Sequence, residues 1–305
     1  MTPPSTAERC SAASLARDEP QLGTASRVSG FVLLECAGPW GVDALRDSRL
    51  PDPVKVRLRE LGRTGVKPLL IRRPATDDTA DGVRLFVARG GRLRGAVLPD
   101  VSDVLDVDLS DGAFDPALAD HPGRLFLVCT HGRHDACCAE LGRPLWKATQ
   151  AAAPDRTWQC SHLGGDRFAG NLLVLPAGLY YGRVSPDAAP GLVATHERGE
   201  LDLGLLRGRS DLPVAAQAAE VMLRRHLGLV SEAPLTLVGQ RDGVVVFEDE
   251  DRRWRVRVDR STAPPARLTC RAAAESAAPR FQLVGIDALS RPSCPTRPNP
   301  KEIHP

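Results

Sequence analysis

The sequence predicts a mixed fold of the α+β or α/β class, on three observations. Short apolar runs of strand length, such as "SGFVLLECA" and "RLFLVCTHG", alternate with longer helical stretches. The chain has 305 residues, enough for two domains or one large domain. Apolar residues make up 42% of it, which is enough to build a substantial core.

The first half of the chain has the predicted order β-α-β-β-β. The strand "SGFVLLECA" is followed by "GPWGVDALRDSRLPDPVKVRLRELGRTG", a helical stretch that is interrupted by prolines and stops at Gly65. The runs "KPLLIRR", "VRLFVAR" and "RLRGAVL" are then three strands separated by turn residues. We therefore predict a βαβββ unit over residues 27–118, preceded by a flexible, polar N-terminus over 1–26.

The middle of the chain repeats this order and adds a helix. "RLFLVCTHG" is a strand, "DACCAELGRPLWKATQAAA" a helix, and "RTWQCSH", "GNLLVLP" and "GLYYGRV" are strand-like. In "SPDAAPGLVATHERGE", Ser185 is a suitable N-cap and Pro186 suits the first helical position. This predicts a βαβββα unit over 119–200. The repeated order is compatible with two related units, although their side chains share little identity.

The last third of the chain predicts a smaller α+β part over residues 201–288. Its clearest element is a helix over 212–228, in which five apolar residues share one face: Ala215, Ala218, Ala219, Met222 and Leu223. Strand-like runs follow over 234–286. Residues 289–305 are rich in proline and are predicted to be a disordered tail.

Composition and charge exclude several classes of function. The formal charge of +2 comes from 40 basic and 38 acidic residues that are interspersed, and aromatic residues make up only 4%. Without a basic stripe or stacking surfaces, nucleic acid is not an expected partner. No apolar run has the length of a membrane helix and no secretory signal is present, so we expect a cytoplasmic protein without a membrane partner. In that compartment, clustered cysteines more often bind metals or catalyse reactions than form disulfides.

The stretch "CTHGRHDACC" places cysteines at a strand end and at a helix start. Cys129 ends the predicted strand, and Asp135 is a suitable N-cap for the helix whose first turn holds Cys137 and Cys138. A thiolate in a first turn is favoured by unpaired N–H groups and by the helix dipole. Cys138 shares the apolar face of this helix, whereas Cys137 is rotated from that face by about 100°. We therefore expect Cys129 and Cys138 to act together and Cys137 to be a bystander.

A second stretch, "CSHLGGDRFAGN", supplies further donor atoms. Cys160 and His162 alternate along a predicted strand and would face the same side. A glycine loop follows, and Asp166 ends it. Two cysteines, a histidine and one more donor suit a metal ion or an iron–sulfur cluster, but the spacing matches neither zinc fingers nor the common ferredoxins. From the pattern alone, three interpretations remain open: a metal site or cluster, a thiol redox site, and structural cysteines.

Other residues that could take part in such a site have simpler explanations. Four scattered cysteines are interpreted as small buried or incidental residues: Cys10, Cys36, Cys270 and Cys294. Two histidines of the first stretch are expected to form hydrogen bonds or shape the loop: His131 and His134. Three arginines could dock an acidic redox partner, or are solvated surface residues: Arg133, Arg167 and Arg183.

The two stretches together resemble the sucrase/ferredoxin-like family, whose core resembles that of thioredoxin-like [2Fe–2S] ferredoxins. The resemblance covers roughly residues 28–200 and is sharpest over 126–184, where "HLGGDRFAGN" is its most specific part. It implies a thioredoxin-like core, which agrees with the predicted βαβββα order. The family's first cysteine pair matches Cys129 and Cys138.

The resemblance also implies where the remaining cluster ligands lie. Thioredoxin-like ferredoxins have a second cysteine pair in the loop that corresponds to "HLGGD", and eukaryotic relatives have two histidines there. This sequence keeps His162 but has Asp166 at the second position. Either Asp166 or Cys160 is then the fourth ligand, or no stable cluster forms.

The function implied is that of a soluble [2Fe–2S] protein that transfers electrons to or from a redox partner protein. Such a protein is an electron carrier rather than an enzyme, and no paired-carboxylate site for a sucrase activity is evident. Zinc is the lesser alternative as cofactor. The alternative functions are a thioredoxin-like thiol redox protein without a cluster, although no C-x-x-C motif is present, and a zinc-stabilised or cofactor-free interaction module.

Overall fold

The structure, a computed structural model, describes residues 9–73, 82–110, 114–249 and 252–289. Its strands form a ten-stranded mixed sheet and a four-stranded antiparallel sheet. The predicted mixed α/β class is thereby confirmed.

The first unit occupies one half of the large sheet. It contains β1 (Gly30–Glu35), α2 (Ala44–Asp47), α3 (Asp52–Arg63), β2 (Val66–Arg72), β3 (Val83–Arg89), β4 (Arg92–Leu98) and the short edge strand β5 (Ala119–Asp120). Strand β1 is parallel to β2 and antiparallel to β3, and β3 is antiparallel to β4. The edge strand β5 pairs with β4 and so lies in the same half of the sheet.

The second unit occupies the other half. It contains β6 (Leu125–Cys129), α4 (Ala136–Glu140), α5 (Gly142–Ala152), β7 (Thr157–Cys160), β8 (Leu172–Leu175), β9 (Leu179–Tyr181) and α6 (Ala189–Glu197), and β10 (Leu206–Arg209) pairs with β9. Strand β6 is parallel to β7 and antiparallel to β8, and β8 is antiparallel to β9. This is the βαβββα order of a thioredoxin-like core.

The two units therefore have the same strand order and the same strand directions. They meet where β2 pairs antiparallel with β7, with Ile71 opposite Cys160. An antiparallel pair at the centre relates the two halves by an approximate twofold axis. Strands β1, β6 and β8 are buried along their whole length, which explains why their sequences are continuous apolar runs.

The C-terminal part packs one helix against the small sheet. Helix α7 (Val214–Leu227) ends at Gly228, which has a positive φ of 67°. The sheet consists of β11 (Thr236–Arg241), β12 (Val244–Glu248), β13 (Arg253–Thr262) and β14 (Pro279–Leu289). Apolar residues of the helix and of β12 to β14 share one core cluster, so this part agrees with the predicted α+β arrangement.

The N-terminus differs from its prediction. The segment was expected to be flexible over 1–26, but from Arg9 onward it is ordered and begins with α1 (Cys10–Ala16), in which Cys10 and Ser14 are buried. This helix is short and lacks an apolar stripe, so only its tertiary contacts reveal it. Residues 1–8, the tail over 290–305 and Cys294 lie outside the described residues.

Candidate metal centre

The candidate site lies where β6 and β7 end and α4 begins. Cys129 is the last residue of β6 and is 1% exposed. Asp135 caps α4 as predicted, because its side chain accepts the N–H of Cys137 at 2.9 Å. Cys138 follows in the first turn, and its side chain is buried against the end of β6.

Four of the predicted site residues come together here. The ligand atoms of Cys129, Cys138 and His162 lie within 4.8 Å of one another. The Cys138 thiol donates to Oδ1 of Asp166 at 3.3 Å, and Nδ1 of His162 lies 3.0 Å from the same oxygen. Asp166 is 1% exposed, whereas the side chain of His162 is 24% exposed. The imidazole therefore forms the outer edge of a buried group of donors.

Cys160 occupies a different place from the one predicted by the alternation argument. It is the last residue of β7, so the strand ends before His162 and the alternation does not extend to that residue. Its side chain is fully buried in the apolar core between the two units. Among the described residues, Cys160 belongs to none of the groups whose ligand atoms converge.

The two histidines of the first stretch contact the loop that follows β1. Nε2 of His131 lies 2.7 Å from the carbonyl oxygen of Gly41, and Nδ1 of His134 lies 3.3 Å from that of Val42. These contacts agree with the expected hydrogen-bonding role. The His134 ring also stacks on His162 with its centroid at 3.8 Å, which brings a further imidazole beside Asp166.

The contacts within the site favour a negative charge on the Cys129 thiol and a positive charge on the His162 imidazole. The contacts of Cys129 with the Cys138 thiol and with His162 hold the pKa of Cys129 well below its ordinary value, although burial opposes them. Burial lowers the pKa of His162, but its contacts with Cys129 and Asp166 outweigh that effect and raise it. Burial raises the pKa of Asp166. The donors thus depend on one another for their charge states.

Two cations, the half-buried Lys67 and the buried Arg207, hold the glycine loop of the second stretch in place. Nζ of Lys67, on β2 of the first unit, donates to the carbonyl of Leu163 at 2.7 Å. Nη1 of Arg207, on β10, donates to the carbonyl of Gly164 at 2.9 Å and to Oδ1 of Asn171 at 2.7 Å. Burial lowers the pKa of Lys67 to about 8 and that of Arg207 to about 10.

Glycine is required in this loop because of the close approach of Arg207. Gly165 has a positive φ of 79°, and a Cβ there would lie 2.3 Å from Nη2 of Arg207. Neither Lys67 nor Arg207 was singled out from the sequence, because each comes from a distant strand and carries no local motif.

Two of the arginines considered for partner docking are engaged within the chain. Nε of Arg167 forms an ion pair with Oε1 of Glu19 at 2.6 Å. Arg183 donates to the carbonyl of Glu19 at 2.7 Å and to the hydroxyl of Ser14 at 3.1 Å. Both therefore fasten the N-terminal segment and are half-buried, whereas Arg133 is exposed.

Three cysteines that were expected to be incidental form a second group. The thiol of Cys137 points away from Cys138 and lies against those of Cys10 and Cys270. Their proximity depends on contacts between distant segments, so spacing along the chain gives no signal of it. Cys36, which was also expected to be incidental, joins neither group of cysteines and packs in the apolar core of the first unit.

The fold and this cysteine–histidine site place the chain in a known class of protein. The family described as sucrase/ferredoxin-like matches residues 22–208, and the chain belongs to this family. Over 81 residues the chain is 32% identical to altered inheritance of mitochondria protein 32 of Meyerozyma guilliermondii, a match that takes in 23% of this chain. It spans 29% of that curated relative.

Two solved structures show a weaker similarity. One is a thioredoxin-like [2Fe–2S] ferredoxin from Aquifex aeolicus, 19% identical, with a TM-score of 0.26 over 30% of this chain and 94% of that one. The other is a cysteine-to-serine variant of such a ferredoxin from the same organism, also 19% identical, with a TM-score of 0.25 over 28% of this chain and 97% of that one. Over the part of the chain that the structure describes, no helix is both long and apolar enough to cross a membrane.

Proposed function

We propose that this protein transfers electrons through a [2Fe–2S] cluster held by Cys129, Cys138, His162 and Asp166. The observation that carries the proposal is the convergence of these four side chains, from β6, α4 and the loop after β7, at one end of the second unit. Membership of the sucrase/ferredoxin-like family supports it.

The chemistry of the donors fits such a group. Two thiols, one imidazole and one carboxylate give two irons two protein ligands each, and thiolates and imidazoles are the known ligands of these clusters. Asp166 is buried, and among the described residues its only ion-pair partner is His162. Burying an ionised carboxylate without a cation is costly, so a positive metal centre would satisfy this group. Cys160 lies outside the donors, and we assign the fourth ligand to Asp166.

A bound cluster would supply one-electron chemistry, and the residues around it would set the conditions. Cys129, Cys138 and Asp166 are each 1% exposed, so bulk water has little access to them. His162 is the exposed edge and gives the shortest route for an electron to a partner surface. A neutral imidazole in place of a thiolate raises the reduction potential, and the positive charges of Lys67 and Arg207 act in the same direction.

The proposal is tested by purifying the protein without oxygen and recording its visible and EPR spectra with iron and sulfide analysis. We expect iron and sulfide in near-equal amounts and an EPR signal on reduction. Colourless protein that takes up no iron and sulfide on reconstitution would contradict the proposal. For the fourth ligand, Asp166→Ala should lose most of the iron, whereas Cys160→Ala and His134→Ala should retain it.

One observation favours a second function, that of a dithiol redox protein. The neighbouring Cys138 thiol lowers the pKa of Cys129 and so favours a thiolate there, as in thiol oxidoreductases. Against it, both thiols are 1% exposed, whereas reactive cysteines are partly accessible. Colourless protein that forms a reversible Cys129–Cys138 disulfide would favour this function over the cluster.

A further inference from the structure

A second group of cysteines joins three distant segments of the chain. Cys10 begins α1, Cys137 lies in the first turn of α4, and Cys270 lies between β13 and β14. Their Sγ atoms form a triangle, with sides of 3.6 Å from Cys10 to Cys137, 3.4 Å from Cys137 to Cys270 and 3.5 Å from Cys270 to Cys10. All three are free cysteines.

The size of this triangle is that of a mononuclear thiolate site. Bonded sulfurs of a disulfide lie about 2.05 Å apart, well inside these separations. With Zn–S bonds of about 2.3 Å, two thiolates of a tetrahedral zinc site lie about 3.8 Å apart. The triangle is only slightly tighter than that. A [2Fe–2S] cluster would spread three thiolates further, because each of its irons takes only two protein ligands and the third thiolate would bind the other iron.

A carboxylate completes the group. Asp135 is fully buried, and each of its oxygens lies 3.9 Å from Sγ of Cys10. Its ligand atom and the three sulfurs all lie within 4.8 Å of one another. Its oxygens also accept the N–H of Cys137 and, at 2.7 Å, the N–H of Cys270, which fixes their orientation. No Lys or Arg forms an ion pair with Asp135 within the described ranges, so a bound cation would add to the two N–H groups that already stabilise its charge.

Ordinary apolar packing does not account for the arrangement. The three sulfurs lie in a small cluster of their own, where Ala169 is the only other buried apolar residue, and not in the main cores. Thiols are weak hydrogen-bond donors, so three of them gain little from facing one another. The Ser11 hydroxyl donates to Sγ of Cys137 at 3.2 Å, the kind of hydrogen bond that supports a metal-bound thiolate.

We propose that Cys10, Cys137, Cys270 and Asp135 bind a zinc ion that fastens both terminal segments of the chain onto α4. Soft thiolates favour zinc among the common divalent ions, and four protein ligands are typical of a structural site. The site is distinct from the proposed cluster site, because Cys137 and Cys138 leave α4 on different sides. Cys10 and Cys270 also lie outside residues 22–208, which the family matches.

The test measures zinc and iron in the same anaerobically purified full-length protein. We expect about one zinc ion per chain. In Cys10→Ser and Cys270→Ser, zinc should fall about tenfold or more while iron and visible absorption remain. In Cys129→Ser, iron should be lost and zinc retained. Cys36→Ser, which removes a buried cysteine outside both groups, should retain both metals.

A second measurement covers the case in which the serine variants do not fold. Wild-type protein is treated with iodoacetamide before and after zinc removal by a chelator, and alkylated peptides are identified by mass spectrometry. Cys10, Cys137 and Cys270 should be protected with zinc and react after its removal, while Cys36 should not change. Cobalt substitution should give the visible bands of a tetrahedral thiolate site.

Three results would overturn the zinc site. The first is protein that contains no zinc and whose three thiols all react with iodoacetamide. The second is a disulfide between two cysteines of the triangle. The third is zinc that survives Cys10→Ser but is lost in Cys129→Ser, which would move zinc to the other site and contradict the cluster as well. Protein that lacks iron but loses zinc only in the Cys10 and Cys270 variants would contradict the proposed function alone.

Discussion

The two units of the large sheet have the same topology but very different chemistry at equivalent positions. Glu35 ends β1 and lies opposite Ile71 of β2, while Cys129 ends β6 and lies opposite Cys160 of β7. In the first unit, the Glu35 carboxylate accepts hydrogen bonds from Arg73 Nε and from the backbone N–H of Arg84, both at 3.0 Å. In the second unit, the corresponding strand end carries a thiol that faces another thiol and an imidazole.

The difference shows that the fold provides the position and the side chains provide the chemistry. An ion pair closes the strand end of the first unit, and a group of thiol, imidazole and carboxylate side chains lies at that of the second. The first unit nevertheless supports the site, because its loop carbonyls at Gly41 and Val42 contact His131 and His134, and its Lys67 holds the glycine loop. It forms one wall of the site without contributing a ligand.

The strongest test of this comparison uses single cysteine variants, two in the second unit and one in the first. Cys129→Ser and Cys138→Ser should each abolish the visible absorption and the bound iron, because either change removes a thiolate ligand from a site with only two. Cys36→Ser, directly after β1, should leave both unchanged. Iron analysis and visible spectra of the three variants decide the matter. A normal spectrum in Cys138→Ser would show that the helix-face argument is wrong.

The next test concerns the ion pair of the first unit. Glu35→Gln should lower the free energy of unfolding by about 2 kcal/mol, since it weakens hydrogen bonds to a buried charged group. The side chain of Glu35 is only 4% exposed, so solvent compensates little of that loss. Urea denaturation monitors the change. Iron content should stay at the wild-type level, and its loss would mean that the two strand ends are not independent.

The residues of the site that could be predicted from the sequence are those that lie close together along the chain. Cys129, Cys138, His162 and Asp166 lie in two short stretches, and strand and helix periodicity was enough to distinguish Cys138 from Cys137. Lys67 could not be found in this way, because 96 residues separate it from the carbonyl that it binds.

The second cysteine group could not be predicted either, because its members are far apart along the chain. The repeated order of elements could be predicted, because its signal is local. Cys10 and Cys270 are 260 residues apart and meet only in the folded chain. The order of strands and helices, in contrast, depends on local hydrophobic periodicity, so the βαβββ order of both units was predicted. The pairing of β2 with β7, which joins the units, left no pattern in the sequence.

A smaller effect is expected from Lys67, which links the two units. Lys67→Met should destabilise the protein by about 1 kcal/mol, because the hydrogen bond to Leu163 is lost while Ser26 still donates to that carbonyl. It should also make the reduction potential of the cluster more negative, since a positive charge is removed near Cys129. A spectroscopic redox titration measures this shift. Lys67→Arg, which retains the charge, should restore the potential, and an unchanged potential in Lys67→Met would exclude an electrostatic role.

The smallest predicted effect is on the free energy of unfolding and depends on pH. It concerns Glu232, a carboxylate that contacts the second unit. Glu232 contacts Nδ1 of His196 at 3.2 Å and forms an ion pair with Arg124, which directly precedes β6. Burial raises the pKa of Glu232, but the hydrogen bonds from His196 and Arg124 outweigh it and hold this pKa below the ordinary value. The folded protein therefore releases this proton at lower pH than the unfolded chain does. The resulting stability is fully present above the unfolded pKa of about 4.3 and is lost as pH falls through the folded pKa.

Glu232→Gln tests this linkage and should cost about 0.5 kcal/mol at pH 7, since the amide oxygen still accepts a hydrogen bond. The difference from wild type should shrink as the pH falls below about 4, because the wild-type carboxyl is then protonated as well. Urea denaturation of both proteins at several pH values gives the comparison. Glu35→Gln, measured in parallel, shows whether each unit depends on its own carboxylate. A Glu232→Gln difference that is constant with pH would assign its cost to altered packing, because only the ionised carboxylate can produce a stabilisation that disappears on protonation.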